Sequence, residues 1–326
     1  MGGSLALSTG LDSSSAMIDV LGESTPEAVA LVADLLQRPD FKAEELEKVR
    51  ADMLRNLMVA KSTPGSIASE AFSAALYPEH PYGRTFPTPQ QLSGYTLEQI
   101  KAFHAANFGA ARTHLYIVGR FDPATVRAAV EKAFGGWAAG AAPTALPVPA
   151  EPAPRVVLID RPGAPQSTVW IGKRVAKPGY DMDFRATNTL LGGYFSSRIT
   201  RNIREDKGYT YSPSASLSQR VQGAFWVEDA DITAESTGPA ITEIYKEIRR
   251  MQDTLPTPGE VQGIRNYMNG TFVLGLSSRD GLAGSLANLD VQGLGVDYLN
   301  GYVGRASALT AADFQTAAKR SCRWTS

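Results

Sequence analysis

Apolar residues spaced three and four apart mark much of this chain as amphipathic helix, broken by short runs in which apolar and polar residues alternate. Thr25-Pro26 opens the first helix as N-cap and first helical residue, with Val29, Val32, Leu35 and Leu36 on one face. Residues 43–60 predict a second, striped by Leu46, Val49, Met53 and Leu57. Thr96 and Gln99 supply both halves of a capping box for a third, backed by Ile100 and Phe103. Residues 123–134 predict a fourth, and 113–118 (THLYIV) read as a strand before it. Farther along, 155–160 (RVVLID) and 167–175 (STVWIGKRV) read as strands, and 209–217 with 223–232 as a strand pair. A helix carries Leu190 and Leu191, breaks at Gly192-Gly193 and resumes with Phe195, Ile199 and Ile203. Helices are expected near 236–252, 259–275, 279–292 and 310–320.

The two halves repeat each other. The run ELEKVR at 45–50 matches EVQGIR at 260–265, an offset of 215, and the Thr96 helix matches the Thr310 helix at an offset of 214. Between the halves, 138–154 (AAGAAPTALPVPAEPAP) is rich in Ala and Pro and nearly without charge, the composition of an extended linker. The expected fold is therefore α+β: two duplicated domains, each an antiparallel sheet packed with helices. Residues 1–137 form a partial first domain, 138–154 the linker and 155–326 the second domain. The offset places the start of the first unit about sixty residues before Met1 and the last strand of the second unit past Ser326. The chain is expected to be cut short at both ends, with the first domain incomplete.

The length of 326 residues agrees with two domains at about 100–200 residues each. With 32 Lys and Arg against 33 Asp and Glu, the formal net charge is −1, so no overall field favours nucleic acid. A single cysteine, Cys322, excludes an intrachain disulfide and a cysteine-based zinc cluster; its place in the terminal SCRWTS argues against a nucleophile. No apolar run reaches the ~18 residues of a membrane span, and the N-terminus lacks a basic region ahead of an apolar core. The three histidines, His80, His104 and His114, include no i,i+4 pair. Glu79-His80 is preceded by Leu76 where a His-x-x-Glu-His motif needs histidine. Gly-x-Ser-x-Gly and Walker A sequences are absent.

The segment richest in chemistry is 190–212, LLGGYFSSRITRNIREDKGYTYS. Gly192-Gly193 permits a sharp turn or close backbone approach. Arg198, Arg201, Arg204 and Lys207 surround two acids, and Tyr209 and Tyr211 follow at strand spacing on one face. Arginine offers a planar fork of donors for carbonyl or carboxylate oxygens, and a tyrosine hydroxyl can donate to an oxyanion. A solvated helix end followed by exposed tyrosines has the same composition.

This segment closely resembles the second-domain motif of the insulinase-like (pitrilysin) zinc metallopeptidases, roughly Gly-Gly-x-Phe-Ser-Ser-Arg-Leu followed by Leu-Arg-Glu-x-x-Gly-x-x-Tyr-Ser. Here it stands as Gly192-Gly193-Tyr194-Phe195-Ser196-Ser197-Arg198-Ile199, then Ile203-Arg204-Glu205-Asp206-Lys207-Gly208-Tyr209-Thr210-Tyr211-Ser212. Other stretches are also similar to the family: Arg38-Pro39-Asp40-Phe41 with Glu44-Glu45-Leu46, His80-Pro81-Tyr82-Gly83, Val118-Gly119-Arg120-Phe121-Asp122-Pro123, and Asp160-Arg161-Pro162-Gly163. The resemblance covers nearly the whole chain. It implies repeated α+β domains, and it places the motif's arginine and tyrosine across the cleft from zinc, on Arg204 and Tyr211, with Tyr209 the nearby competitor.

The family's metal site is His-x-x-Glu-His plus a glutamate on a later helix. The first motif does not occur in this chain. On the later helix the resemblance puts the distal ligand position on Asn56 and an assisting glutamate position on Val49, which share a face; a register shifted by one turn would offer Asp52 instead. A neutral carboxamide is a poor substitute for an anionic ligand, and a valine neither orients nor accepts a proton. The resemblance therefore implies the non-zinc subunit of a two-chain endopeptidase, binding no cofactor itself and expecting zinc in its partner. The partners implied are a zinc-bearing insulinase-like chain and a peptide substrate, with no nucleic acid and no membrane span. Resemblance to exported bacterial members makes the periplasm the expected compartment. The alternatives are a self-sufficient zinc peptidase whose metal motif precedes Met1, and a non-catalytic scaffold subunit.

Overall fold

The computed structural model describes residues 2–144, 146–175 and 181–321; Cys322 lies outside them. The elements run β1 (Ser4–Thr9), β2 (Ser14–Asp19), α1 (Thr25–Gln37), α2 (Ala43–Ser62), α3 (Pro64–Leu76), α4 (Pro89–Gly94), α5 (Leu97–Asn107) and α6 (Pro123–Phe134). They continue with β3 (Gln166–Val175), α7 (Met182–Asn188), β4 (Ser214–Gln219), β5 (Ala224–Thr233), α8 (Thr237–Asp253), α9 (Pro258–Leu276), α10 (Arg279–Val291), α11 (Asp297–Asn300), α12 (Tyr302–Ala308) and α13 (Ala311–Ser321). The result is a helical protein with small antiparallel sheets, a β1-β2 hairpin and a three-stranded sheet in the order β3-β5-β4.

The duplication is visible in the element order. β4 starts 210 residues after β1, α8 starts 212 after α1, α9 and α10 start 215 after α2 and α3, and α13 starts 214 after α5. Local devices repeat with it. Arg50 Nη2 donates to the Tyr95 carbonyl at 2.6 Å, and Arg265 Nε donates to the Leu309 carbonyl at 2.9 Å. In each case the arginine satisfies the carbonyl just before a capped helix. The Thr96–Gln99 capping box forms in both directions, and Thr310 N donates to Asp313 Oδ2 at 2.7 Å in the matching place.

The chain forms two compact units that interleave along the sequence. The first takes in β1, β2, α1, α2, α4–α6 and α10; the second takes in α3, α7–α9, α11–α13 and β3–β5. Each repeat thus places its third helix in the other repeat's unit. In the second unit, Phe72 of α3 meets Trp170 and Phe225 edge-on, at 5.4 and 5.6 Å between ring centroids. Gly172 makes this approach feasible, because a Cβ there would sit 2.4 Å from the Phe72 ring. In the first unit, Arg279 of α10 pairs with Asp19 at 3.1 Å, and Asp290 accepts from Tyr116 and lies 2.6 Å from His114 Nδ1.

Several expectations are corrected. Residues 113–118 and 155–160 are not strands. An extended segment becomes a strand only when a neighbour completes its hydrogen-bond ladder, and none does so among the described residues. His114 and Tyr116 are held by Asp290 instead, and Val156 is 96% exposed. The strand expected over 209–217 begins at Ser214, with a single bridge from Thr210 to Ile232 before it. Ser24, not Thr25, occupies the N-cap position of α1. On α2 only Leu57 is buried, while Val49 and Met53 are exposed. Phe195 lies in a turn, because the helix resumes only at Arg198. The β1-β2 hairpin and α3 were not expected.

Candidate functional site

The Arg204 segment is positioned by the core of the second unit. Leu190 and Leu191 precede the glycine pair, and Ile199 and Ile203 follow it; all four are buried in one cluster with Trp226, Ile244, Ile264 and Phe314. The backbone through 189–193 and again through 200–206 is π-helical, a wider turn that recurs at functional sites. With Ile203 fully buried, the next residue, Arg204, emerges at the surface of the core.

The segment ends at Gly208, whose φ of +65° lies in the left-handed region. Its N–H donates to the Arg204 carbonyl at 3.1 Å, and that of Tyr209 to the Ile203 carbonyl at 2.8 Å, so the last carbonyls are satisfied. The chain is then pinned to the end of β5: Thr233 N donates to the Tyr209 carbonyl at 3.0 Å, and Thr210 Oγ1 to the Asp231 carbonyl at 2.6 Å. Tyr209 packs inward against the core, whereas Tyr211 is 79% exposed. Gly208→Ala is expected to cost about 1–2 kcal/mol, the penalty for a side chain in this conformation. Thermal denaturation would register it as a lower Tm; an unchanged Tm would show that another residue tolerates the turn.

Arg204 and Tyr211 come together. The Arg204 guanidinium carbon lies 4.9 Å from the Tyr211 ring centroid and 4.4 Å from that of Phe195, which is itself exposed. Ring contacts use the faces of a guanidinium and leave its in-plane N–H donors for other acceptors. Glu205 lies 3.5 Å from Nε, a long contact. Beside these residues runs a groove lined by Gly192, Gly193, Phe195, Arg204, Ser212 and Ser214. Ser214 also begins β4, an edge strand of its sheet. Phe195 was not expected as part of the site; its signal was the second of two aromatics, Tyr194-Phe195, that follow the glycine pair.

Below the groove lies Glu228 of β5. It is 1% exposed, and neither carboxyl oxygen has a hydrogen-bond partner among the described residues. A Cβ on Gly192 would come within 2.7 Å of Glu228 Oε2 and 2.5 Å of the Ala215 side chain, so glycine is required there. Burial pushes the Glu228 carboxyl well above its ordinary value of 4.5, and neighbouring Asp229 adds to the shift. The fold therefore holds this proton to a higher pH than the unfolded chain, which releases it near its ordinary 4.5, so stability falls as pH rises from there through the folded pKa. Glu228→Gln is expected to raise Tm at pH 8 while leaving it nearly unchanged at pH 5, each kcal/mol regained being worth about 2–4 °C. Equal shifts at both pH values would mean the carboxyl is not the titrating group.

Arg198 faces away from the groove and forms a bidentate pair with Glu260 of α9, at 2.8 and 3.0 Å. Burial pushes the Glu260 carboxyl up, but hydrogen bonds from Arg198 and the Thr257 N–H, with the Arg198 charge, outweigh it and hold the pKa down at about 2. This pair anchors the segment that carries Arg204.

The positions matched to metal ligands look different. Asn56 and Val49 are both exposed on α2, and Asp52 pairs with Arg55 at 2.5 Å. A carboxamide, a hydrocarbon and a paired acid do not make a zinc ligand set, and no group of three His, Cys, Asp or Glu suited to a metal occurs among the described residues. No helix among the described residues is long and apolar enough to cross a membrane.

Known proteins agree with this architecture. The family signature described as "Peptidase M16 inactive domain" matches residues 94–268, and that of "Insulinase (Peptidase family M16)" matches 1–90. The uncharacterized zinc protease Rv2782c of Mycobacterium tuberculosis is 29% identical over 224 residues, 67% of this chain and 51% of that protein. The uncharacterized zinc protease YmxG of Bacillus subtilis is 24% identical over 79% of this chain and 63% of its own length. The chain spans about half the length of the mycobacterial relatives it matches. Among solved structures, a peptidase M16 inactive domain from Pseudomonas fluorescens superposes with a TM-score of 0.89 at 22% identity, covering 98% of this chain and 78% of that one. A protease from Helicobacter pylori gives a TM-score of 0.88 at 21% identity, covering 99% and 80%. The chain belongs to the insulinase family of peptidases, family M16.

Proposed function

We propose that this chain is the substrate-holding, non-zinc member of an M16 endopeptidase pair. The observation that carries the reading is Arg204, set against Phe195 and Tyr211 with Glu205, 3.5 Å from Nε, its one salt-bridge partner among the described residues, beside a groove lined by Gly192-Gly193. An extended peptide lying along the free edge of β4 would present a carbonyl to Arg204. The exposed Tyr211 hydroxyl would donate to the oxygen on which negative charge develops as the carbonyl becomes tetrahedral. Water activation falls to a partner chain carrying His-x-x-Glu-His, since the residues at 49, 52 and 56 here do not fit a zinc site.

Binding can be separated from chemistry. A pair whose partner has the motif glutamate replaced by Gln should hold a fluorescent peptide without cutting it. Arg204→Ala with Tyr211→Phe in this chain is then expected to raise the peptide Kd at least about tenfold, the loss of one to two charged or phenolic hydrogen bonds. An unchanged Kd would refute the substrate-holding role and favour a scaffold.

A further inference from the structure

Glu228 is a buried acid for which the chemistry at Arg204 has no use. Neither of its oxygens has a hydrogen-bond partner among the described residues, although a carboxyl can bond in either protonation state. The sheet does not need an acid at this place. β1 and β2 precede β4 and β5 by 210 residues in the same register, and Leu5 pairs with Ile18 as Ala215 pairs with Glu228. The first repeat therefore builds the same hairpin with isoleucine in the position of Glu228. A costly group kept where an apolar one suffices points to a role outside folding.

That role is indicated by what Glu228 touches. Gly192 and Gly193 line the Arg204 groove and bring no side chains of their own. Gly192 lies so close to Glu228 that a Cβ there would sit 2.7 Å from Oε2. Gly193 rests in the same way on Asn188, 2.9 Å from its Nδ2. Asn188 is hydrogen-bonded at both ends: Nδ2 donates to the Ala215 carbonyl at 3.1 Å, and Oδ1 accepts from Trp226 Nε1 at 2.7 Å. The glycine wall of the groove thus has two polar supports, one held by its neighbours and one without partners.

No neighbouring charge compensates Glu228. β4 and the 189–193 turn carry no titratable side chain. On β3, Ile171 stands opposite Glu228, and Lys173, on the same face, stands opposite Trp226. Asp229 and Asp231 lie on the other face of β5. On α8, Glu243 and Glu247 accept from Asn202 Nδ2. Protonated, the carboxyl can stay sealed in this position. Ionised, it requires water or a donor, because an unpaired charge costs far more to bury than a neutral polar group. Burial and the charge of Asp229 both resist that ionisation and move it to higher pH.

We propose that Glu228 is a positioning residue for the peptide groove: protonated, it seats the Gly192-Gly193 wall, and ionised, it draws water past Gly192 and unseats that wall. The proton passes to solvent, and peptide binding weakens as it leaves. This inference rests on the substrate-holding role of the groove.

Hydrogen exchange of the 189–193 amides in this chain alone reads the wall directly. Corrected for the intrinsic pH dependence of exchange, protection in wild type should fall at least about tenfold from about pH 5 to about pH 9. Glu228→Gln and Glu228→Ile, neither of which titrates, should show no such fall. Constant protection in wild type, or the same fall in both variants, would overturn the proposal. In the pair with the inactivated partner, the Kd of the fluorescent peptide should rise at least about tenfold over the same range, and both variants should remove that rise. Coincident Kd profiles for wild type and variants would overturn it as well. Failure of the underlying reading has a different mark: Arg204→Ala with Tyr211→Phe would leave the Kd unchanged at about pH 5, which overturns both readings whatever the exchange data show.

Discussion

Replacing Arg204 with Ala is expected to lower kcat/KM of a reconstituted pair about 100- to 1,000-fold, the usual cost of removing a preorganised donor to a developing oxyanion. Tm should stay nearly constant. Arg204 contributes little to folding: it touches two exposed rings and one glutamate at 3.5 Å, while the core beneath is filled by Ile203 and Trp226. The division of the loss between constants is informative. If Arg204 holds the peptide equally in the ground and transition states, KM rises and kcat is unchanged; if it meets the oxyanion, kcat falls with kcat/KM. Arg204→Lys should recover little, because an ammonium neither lies flat against Phe195 and Tyr211 nor offers two parallel donors. Steady-state kinetics on the three proteins, with Tm as a control, decides among these outcomes.

The second large effect is on stability. Arg198→Ala is expected to cost about 3–5 kcal/mol, because it strands the Glu260 carboxylate in a mostly buried site. The side chains are 5% and 21% exposed, so water replaces the lost partner poorly. At about 2–4 °C per kcal/mol, the Tm should fall by about 6–20 °C. Arg198→Met combined with Glu260→Leu should recover most of the loss, since removing both charges removes the desolvation cost together with the attraction. The pair also has a pH signature. Glu260 has a folded pKa of about 2 against an ordinary 4.5, so its contribution is complete above about pH 4.5 and disappears as pH falls through about 2. Tm measured from pH 7 to pH 2 should converge for wild type and Glu260→Gln at the acid end. A constant gap would mean that Glu260 is held by packing and not by charge.

Much of this architecture is legible in the amino-acid sequence where local chemistry decides. The Thr96–Gln99 capping box forms as expected, Pro123–Phe134 is a helix over the expected residues, and the repeated ELEKVR and EVQGIR runs do lie on equivalent helices. The errors fall where a neighbour decides. THLYIV and RVVLID have strand composition, yet pairing is a property of two segments and not of one. Val49 and Met53 follow the helical stripe but remain exposed, so periodicity named the face without naming what covers it. The exchange of α3 and α10 between units is likewise invisible to a local pattern.

The candidate site shows the same division. Arg204 and Tyr211 could be named from their motif, but their contact and the inward turn of Tyr209 depend on the wide helical turns and on Gly208. Glu228 was within reach. In AFWVEDADIT the alternation puts it on one face with Ala224, Trp226, Ala230 and Ile232, all buried. A carboxyl on that face was a signal of a buried acid with a raised pKa.

The measurement that bears most directly on the division of labour is a mixing titration. This chain, a His-x-x-Glu-His chain of the same family, and their mixtures would each be assayed for cleavage of one internally quenched peptide. Neither chain alone should turn the peptide over, and turnover should appear and saturate as the two are combined. Metal-dependent cleavage by this chain alone, or full activity of the partner without it, would contradict the account.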